Sequence, residues 1–405
     1  MNNQNRLLPF SQKTLENVAQ QFGTPVWVTD ENTIIDRCNQ MIDAFSDINI
    51  KIFYAMKANY NPHYIKIIKD AGIYGIDAVS PNEVKMALSL GYKPEQIIFT
   101  PSNPTDAEMQ EVGEKNILQN LGSLSELERF GKMFSGQNVS VRLSPNIGVG
   151  EFDKITTGQN ESKFGIVLDD FEEVQNICEK YELTLVGIHC HLGSGFYSAK
   201  EFTEAFDLLF DLSQKFENIK FIDMGGGFGV QYHPEKEEIN LQDFADALSE
   251  KIGDSDIEIR IEPGKFLISQ STVLLMKATT RKSKAKTFIG TDSGFHHLIR
   301  PAMYGAYQHI LNISKLDSEE NIENVQIAGN VCETCDIFNE NINMPKVEED
   351  DLLAILVAGG YGSTMSSNYN LREQAVEVLV TKNGKIKLTK KRQSYEQMVE
   401  NFVEI

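Results

Sequence analysis

A chain of 405 residues is too long for one compact core of ordinary size, and 41% apolar content, 24% charge and 29 glycines exclude a disordered or fibrous protein. A net charge of -20 argues against nucleic acid as a partner, because such binding draws on lysine and arginine set against phosphates. No apolar run approaches a membrane span, the start Met1-Asn2-Asn3-Gln4-Asn5-Arg6 lacks a signal-peptide core, and the five cysteines are irregularly spaced, so a cytoplasmic protein with reduced thiols is expected.

In chain order, Thr24-Pro25-Val26-Trp27-Val28-Thr29 reads as an early strand ahead of the first helix. Strand and helix then alternate. Predicted strands are Ile52–Met56, Ile73–Val79, Gln96–Thr100, Ile117–Asn120, Val139–Ser144, Thr184–Cys190, Lys220–Met224 and Glu258–Glu262. Helical spacing marks Pro62–Ala71, Pro81–Leu90, Asp106–Lys115, Glu126–Phe134, Phe171–Tyr181, Ala199–Phe216 and Leu241–Ile252. Eight such units imply a parallel (β/α)8 barrel of the TIM type, with any active site at the C-terminal strand ends. One connection, Pro145 to Gly165, is long and rich in Gly, Asn and Thr, as expected of a functional loop or a disordered insertion.

From about Ser271 the pattern becomes strand after strand: Thr272–Ala278, Lys286–Asp292, Val325–Ala328, Leu352–Val357, Ala375–Thr381 and Lys385–Thr389. Asn383-Gly384 between the last two is a hairpin signal. The expected organisation is a barrel over 32–270, a β-sandwich or β-barrel domain over 271–405, and a segment 1–31 whose strand joins that β domain.

Four predicted strand ends carry unusual residues. Lys57 follows the run from Ile48 to Met56; alone it would be a solvated loop residue, but on a barrel rim its amine loses hydration and becomes a usable nucleophile. The others are His189-Cys190-His191-Leu192-Gly193-Ser194-Gly195, Asp223-Met224-Gly225-Gly226-Gly227-Phe228-Gly229 and Glu262-Pro263-Gly264-Lys265. Glycine runs with bare N–H groups cradle phosphate, and Ser194 adds a hydroxyl. An amine, a phosphate cradle, a flat histidine and a strand-end carboxylate together suit pyridoxal phosphate, with Glu262 set to keep the ring nitrogen protonated. His189 and His191 share a strand face as metal ligands do, but no clear partner ligand accompanies them, and no metal is expected. Cys332-Glu333-Thr334-Cys335 has the spacing of a redox or zinc pair, without the second pair or thioredoxin-like surroundings that either role would require.

From Pro25-Val26-Trp27-Val28 to Arg392-Gln393 the chain resembles the pyridoxal-phosphate decarboxylases built of a barrel plus a β domain (the alanine-racemase-like fold), and among them the diaminopimelate decarboxylases. The motifs that carry the likeness are Tyr54–Asn59, Glu161-Ser162-Lys163-Phe164-Gly165, His191–Gly195, Gly225–Gly229, Glu262–Gly264, Arg300–Tyr307, Cys332-Glu333 and Gly360–Asn370. The resemblance implies a homodimer in which the β domain of one subunit completes the active site of the other, acting on a small amino acid. It implies that Lys57 carries the cofactor, Asp77 orients Lys57, and His191 stacks on the ring. Ser194, Gly226, Gly227, Gly264 and Tyr361 would hold the cofactor. Cys332 would be the proton donor, Glu333 would meet the distal ammonium, and Arg300 with Tyr304 and Tyr361 would bind the rest of the substrate. Lys265 stands where the family carries an arginine that contacts phosphate or substrate carboxylate. Asn330, Thr334, Cys335 and Gly360 also depart from the family pattern, all near the substrate pocket.

The expected activity is decarboxylation of meso-2,6-diaminopimelate to L-lysine. The rivals are a decarboxylase of ornithine or lysine, and a non-catalytic relative that only binds the cofactor. A racemase is a third possibility, against which the β domain argues.

Overall fold

The structure, a computed structural model, describes residues 3–148 and 162–403. Residues 149–161, which hold most of the predicted long connection and Glu161 of the family motif, lie outside the described residues. The chain divides into two compact units. One comprises Arg37–Gly229 and Glu238–Leu267; the other comprises the chain before Arg37, the segment Val230–Glu237 and the chain from Ile268 onward.

In chain order the strands of the described residues begin with β1 (Val26–Asp30), β2 (Ile50–Ala55), β3 (Gly75–Ala78), β4 (Ile97–Phe99), β5 (Leu118–Leu121) and β6 (Asn138–Ser144). They continue with β7 (Ile166–Val167), β8 (Thr184–His189), β9 (Phe221–Asp223) and β10 (Glu258–Ile261). In the first unit β2, β3, β4, β5, β6, β8, β9 and β10 pair in that order, all parallel, and β10 pairs back onto β2 to close an eight-stranded barrel. The two-residue β7 is an addition that the sequence reading lacks; it pairs with β6 where the long connection rejoins the barrel.

Helix starts follow side-chain chemistry. Asn61, Ser80 and Ser123 each accept a hydrogen bond from a backbone N–H of the first turn, ahead of Pro62–Asp70, Pro81–Ser89 and Leu124–Met133, while Thr105 and Glu108 form a reciprocal capping box at Asp106–Gly113. The predicted strands run one or two residues too long at most ends. At Lys57 the strand stops at Ala55, and Met56–Ala58 is a single 3-10 turn that leads into Asn61 and its helix.

Gly187 of β8 and Phe221 of β9 stand opposite each other in register. A Cβ on Gly187 would lie 2.0 Å from the Phe221 ring, and that ring is itself stacked under the Arg260 guanidinium, whose carbon lies 3.5 Å from its centroid. Glycine is thus the residue β8 requires beside β9.

The second unit is a mixed sheet of β1 with β11 (Thr272–Ser283), β12 (Thr287–Thr291), β13 (Ile310–Asn312), β14 (Ile322–Ala328), β15 (Ile337–Pro345), β16 (Leu352–Ile355), β17 (Val376–Val380) and β18 (Ile386–Lys390). Its order is β15-β14-β12-β11-β1-β17-β18, with β16 pairing β11 and β13. The early strand does join the β domain: β1 runs antiparallel to β11 and parallel to β17. The hairpin of β17 and β18 forms as expected, with Gly384 at φ 74°. Strands β13 and β15 escaped the sequence reading; Ile337–Pro345 alternates with asparagine and glutamate on its exposed face and has no turn signal ahead of it. Trp27, Leu274, Met276, Val325, Ile327, Phe338 and Leu353 are among the buried apolar residues of this unit's core. Among the described residues no helix is long and apolar enough to cross a membrane.

Gly187→Ala is expected to cost about 1–3 kcal/mol through overpacking against the pinned Phe221 ring, read as a lowered thermal midpoint. An unchanged midpoint would refute the packing argument.

Candidate active site

Parallel strands in register bring their last residues to one level. Ala55 is level with Asp77, Arg142 with His189, and His189 with Asp223. Asp77, His189, Asp223 and Glu262 are all buried at the C-terminal strand ends. The half-exposed Lys57, one turn beyond β2, donates from Nζ to Asp77 Oδ2 at 2.6 Å. The lysine and aspartate picked out by sequence are thus in direct contact.

Around them lies a layer of titratable groups of low hydration. His189 Nε2 is 3.3 Å from Glu262 Oε2. Burial, opposed mainly by Asp223, lowers the His189 pKa to about 4, and burial with the cations Arg142 and Lys57 takes His191 well below its ordinary value. Both rings are therefore neutral at pH 7. Burial, reinforced by Glu262, pushes Asp223 up to about 8. Burial and then Asp77 raise Glu262, against the pull of Lys57 and Arg142. Asp77 Oδ1 has no hydrogen-bond partner among the described residues, whereas the raised Glu262 carboxyl shares a side-chain hydrogen bond with Asp223. A buried carboxylate with an unsatisfied oxygen is a place where a cationic N–H gains most, because it restores both charge balance and a hydrogen bond.

The three strand-end motifs also form one structure. The N–H groups of Gly195 and Phe196 donate to Gly227 O at 2.8 and 3.1 Å, so the loop after β8 lies against the loop after β9. The glycine run is less bare than its sequence implies. Gly225 N–H donates to Asp223 Oδ1 at 2.9 Å and Gly226 N–H to His191 Nδ1 at 3.2 Å. The second bond fixes the His191 ring and its tautomer, and Gly227 takes a φ of 113° that favours glycine. Ser194 is half-buried, in the loop that lies against Gly227. Gly264 packs against Ala55 and Ala58, next to Lys57. Lys265 is buried, and its charge is one of those that depress the His191 pKa.

The remaining predicted residues belong to the β unit. Cys332 and Glu333 lie in the loop from β14 to β15. The Cys332 N–H and thiol donate to Asn370 Oδ1 at 3.2 and 3.4 Å, and the Tyr369 hydroxyl donates to the Glu333 carboxylate. Tyr361 has a left-handed backbone at φ 56°, a strained setting for a large side chain and one that concentrates at functional positions. Arg300 is buried. Its guanidinium lies over the Tyr232 ring at 4.4 Å, and with the Gln308 amide oxygen turned toward it, Nη1 donates to Gln308 at 2.8 Å. Tyr304 closes the same short helix, Arg300–Tyr304.

Sequence reasoning missed Arg142, Asp223 and Glu83 as parts of the site. Arg142 was legible in principle, since Ser140, Arg142 and Ser144 alternate with Val139, Val141 and Leu143 along β6 and an arginine in such a strand needs an anion. The half-buried Arg142 sits over the Phe164 ring at 4.5 Å and its cation acts on Glu262. The expectation that His189 lacked carboxylate partners does not hold: His189, Asp223 and Glu262 offer ligand atoms within 4.8 Å of one another. Arg142 and Lys57 bring two cations to this layer, which disfavours a divalent ion there, while the flat, uncharged ring of His191 and the buried carboxyl of Glu262 suit a pyridine ring.

These residues fit pyridoxal phosphate: an amine at Lys57, a buried carboxyl at Glu262 and glycine-rich loops after β8 and β9. The chain is a pyridoxal-phosphate-dependent decarboxylase. Residues 31–269 match the family model described as pyridoxal-dependent decarboxylase, pyridoxal binding domain. Over 97% of its length the chain is 36% identical to the diaminopimelate decarboxylase of Aquifex aeolicus, covering 94% of that protein, and over 94% it is 35% identical to that of Methanothermobacter thermautotrophicus, covering 92%. The crystal structure of diaminopimelate decarboxylase from Helicobacter pylori complexed with L-lysine superposes with a TM-score of 0.89 at 29% identity, over 95% of this chain and 98% of that one. The chain belongs to the diaminopimelate decarboxylase family.

Glu83 Oε2 accepts the Val79 N–H at 2.7 Å, and burial lifts its pKa from 4.5 to about 7, with Asp77 adding to the rise and Lys57 opposing it. The folded chain therefore holds a proton that the unfolded chain releases earlier, so this contribution to stability is complete below about pH 4.5 and is lost as pH climbs toward 7. Glu83→Gln is expected to flatten the fall in thermal midpoint from about pH 5 to about pH 7.5. An equal fall in both proteins would remove Glu83 as its source.

Proposed function

We propose that this chain decarboxylates meso-2,6-diaminopimelate to L-lysine and carbon dioxide, the last step of lysine synthesis, in the cytoplasm and as a homodimer with shared active sites. The observation that carries the chemistry is the 2.6 Å pairing of Lys57 with the fully buried Asp77 at the barrel mouth, with the buried Glu262 carboxyl in the same layer. Membership of the family carries the substrate.

When bound, pyridoxal phosphate supplies an electron sink for the pair left on the α-carbon as the carboxylate departs. Asp77 holds and aims the Lys57 amine. Glu262 would meet the ring nitrogen, where a cationic N–H would draw its raised carboxyl back to the ionised form. The neutral His191, anchored through Nδ1, offers a flat face for stacking and no competing charge. Gly227, Ser194 and Tyr361 take the phosphate, with Gly226 and Gly264 shaping the loops behind it.

The β unit reads the substrate. Arg300, pre-set by Gln308 and Tyr232, gives a fork for the distal carboxylate, with Tyr304 beside it. Glu333, held by Tyr369, meets the distal ammonium, and Cys332, held by Asn370, returns the proton to the α-carbon. Lys265 supplies charge without a fork, as a point contact for phosphate or carboxylate.

Incubating the cofactor-loaded protein separately with meso-diaminopimelate, ornithine, lysine and arginine should give product, identified by mass spectrometry, from diaminopimelate alone. Product from ornithine or lysine instead would assign the departures at Lys265 and Asn330–Cys335 to a changed specificity, and no product at all would favour a non-catalytic relative. Cys332→Ala is expected to retain cofactor and lose about 10²–10⁴-fold in turnover. Mixing it with Lys57→Ala should then restore activity through heterodimers holding one intact site. Verified heterodimers without activity would sink the shared-site arrangement.

A further inference from the structure

We propose that the floor of the barrel, at the strand ends away from Lys57, is a second binding site, one that takes a small organic carboxylate with a flat apolar body. Leu118, Asn138, Phe221 and Glu258 are each the first residue of a strand, and with Lys220 and Arg260 they line a cavity of about 450 Å³. That is the size of a small-molecule site. Asp77, His189 and Asp223 lie at the opposite strand ends, so this cavity is no part of the mouth. The shared-site arrangement proposed above engages the mouth, not the floor.

Part of the lining is cationic. The Arg260 guanidinium lies over two rings, its carbon 3.5 Å from the Phe221 centroid and 5.2 Å from that of Phe53. Stacking fixes its plane, and Nε donates to Glu258 Oε1 at 2.7 Å. The other Glu258 oxygen takes Lys51 Nζ at 2.6 Å, so that carboxylate already serves two cations. Neither Nη of Arg260 has a hydrogen-bond partner among the described residues. Lys220, exposed on the same cavity, has no ion pair among them either, and the remaining charge on the lining is the exposed Glu95. In a chain of net charge -20, two cations left over from pairing at one cavity point to an anion supplied from outside.

Another part of the lining is aromatic and already set. Phe130 and Phe134 have centroids 5.2 Å apart, and Phe134 packs over Gly113, where a Cβ would lie 2.4 Å from the ring. The buried Val186 adds to this apolar surface. A carboxylate answers the guanidinium edge through paired N–H···O bonds, and a flat apolar body takes the rings out of water. Inorganic phosphate would meet the cations and leave the rings unused.

The inference does not rest on the proposed reaction. Its test is the binding of 4-fluorobenzoate to the cofactor-loaded enzyme, followed by fluorine NMR. Saturable binding with a dissociation constant of about 1 mM or tighter is expected. The alcohol 4-fluorobenzyl alcohol keeps the ring and lacks the charge, and it should bind at least about tenfold more weakly. Arg260→Met should weaken 4-fluorobenzoate at least about tenfold. Asn138→Trp fills the cavity from an exposed position, leaves Arg260 on Phe221, and should abolish binding while cofactor absorbance stays ordinary; it decides the matter even where Arg260→Met does not fold. Arg300→Gln, in the proposed substrate pocket, should bind 4-fluorobenzoate as the unaltered enzyme does. No saturation at about 10 mM, equal binding of the alcohol, or undiminished binding in Asn138→Trp would each overturn the proposal. So would loss of binding in Arg300→Gln, which would place 4-fluorobenzoate in the substrate pocket.

Discussion

The contact between Lys57 Nζ and Asp77 Oδ2 is the constraint on which the rest of the barrel site depends. A fully buried carboxylate is costly unless paired, and a lysine half out of water is unreactive unless aimed; each residue answers the other's need. Barrel closure makes the pair possible. Only when β10 returns to β2 do eight strand ends share one rim, and only then is Asp77 shut away from solvent while Lys57 still reaches it.

Around that pair the charges are arranged by burial more than by any single partner. Desolvation leads the causes at His189, His191, Asp223, Glu262 and Glu83, pushing each toward its neutral form. Arg142 and Lys57 resist this at the carboxylates and reinforce it at the histidines. The layer therefore holds two neutral rings instead of two extra cations. That balance explains why an arginine inside β6 belongs to the site although it was not evident from motif reading.

The sequence made the architecture readable because both periods are clean. Alternating apolar runs stop at Gly-rich or charged strand ends, and most of the helices between them begin on Asn, Ser or Thr caps. Lys57, Asp77, His191 and Glu262 could be read as strand-end residues. Their neighbours could not, since His189, Asp223 and Glu262 are far apart in the chain and meet only through register across β8, β9 and β10. The triple glycine was half understood: its freedom serves the close packing of loops and the anchoring of His191 as much as any anion. In the β unit, β15 was hidden because asparagines and glutamate occupy its open face, and its pairing with β14 is a long-range fact that composition does not carry.

The position of β1 has a temporal meaning. It lies in its sheet with β11 on one side and β17 on the other, yet it is made first, and the whole barrel is synthesised before either neighbour exists. As the chain leaves the ribosome, Val26–Asp30 must wait as an unpaired strand while the parallel barrel closes on its own local contacts. The sheet can be completed only once β17, near the end of the chain, has emerged. The barrel can thus be native while the β unit is still assembling, so a chain cut short after Leu267 would leave β1 with two open edges and no sheet to enter.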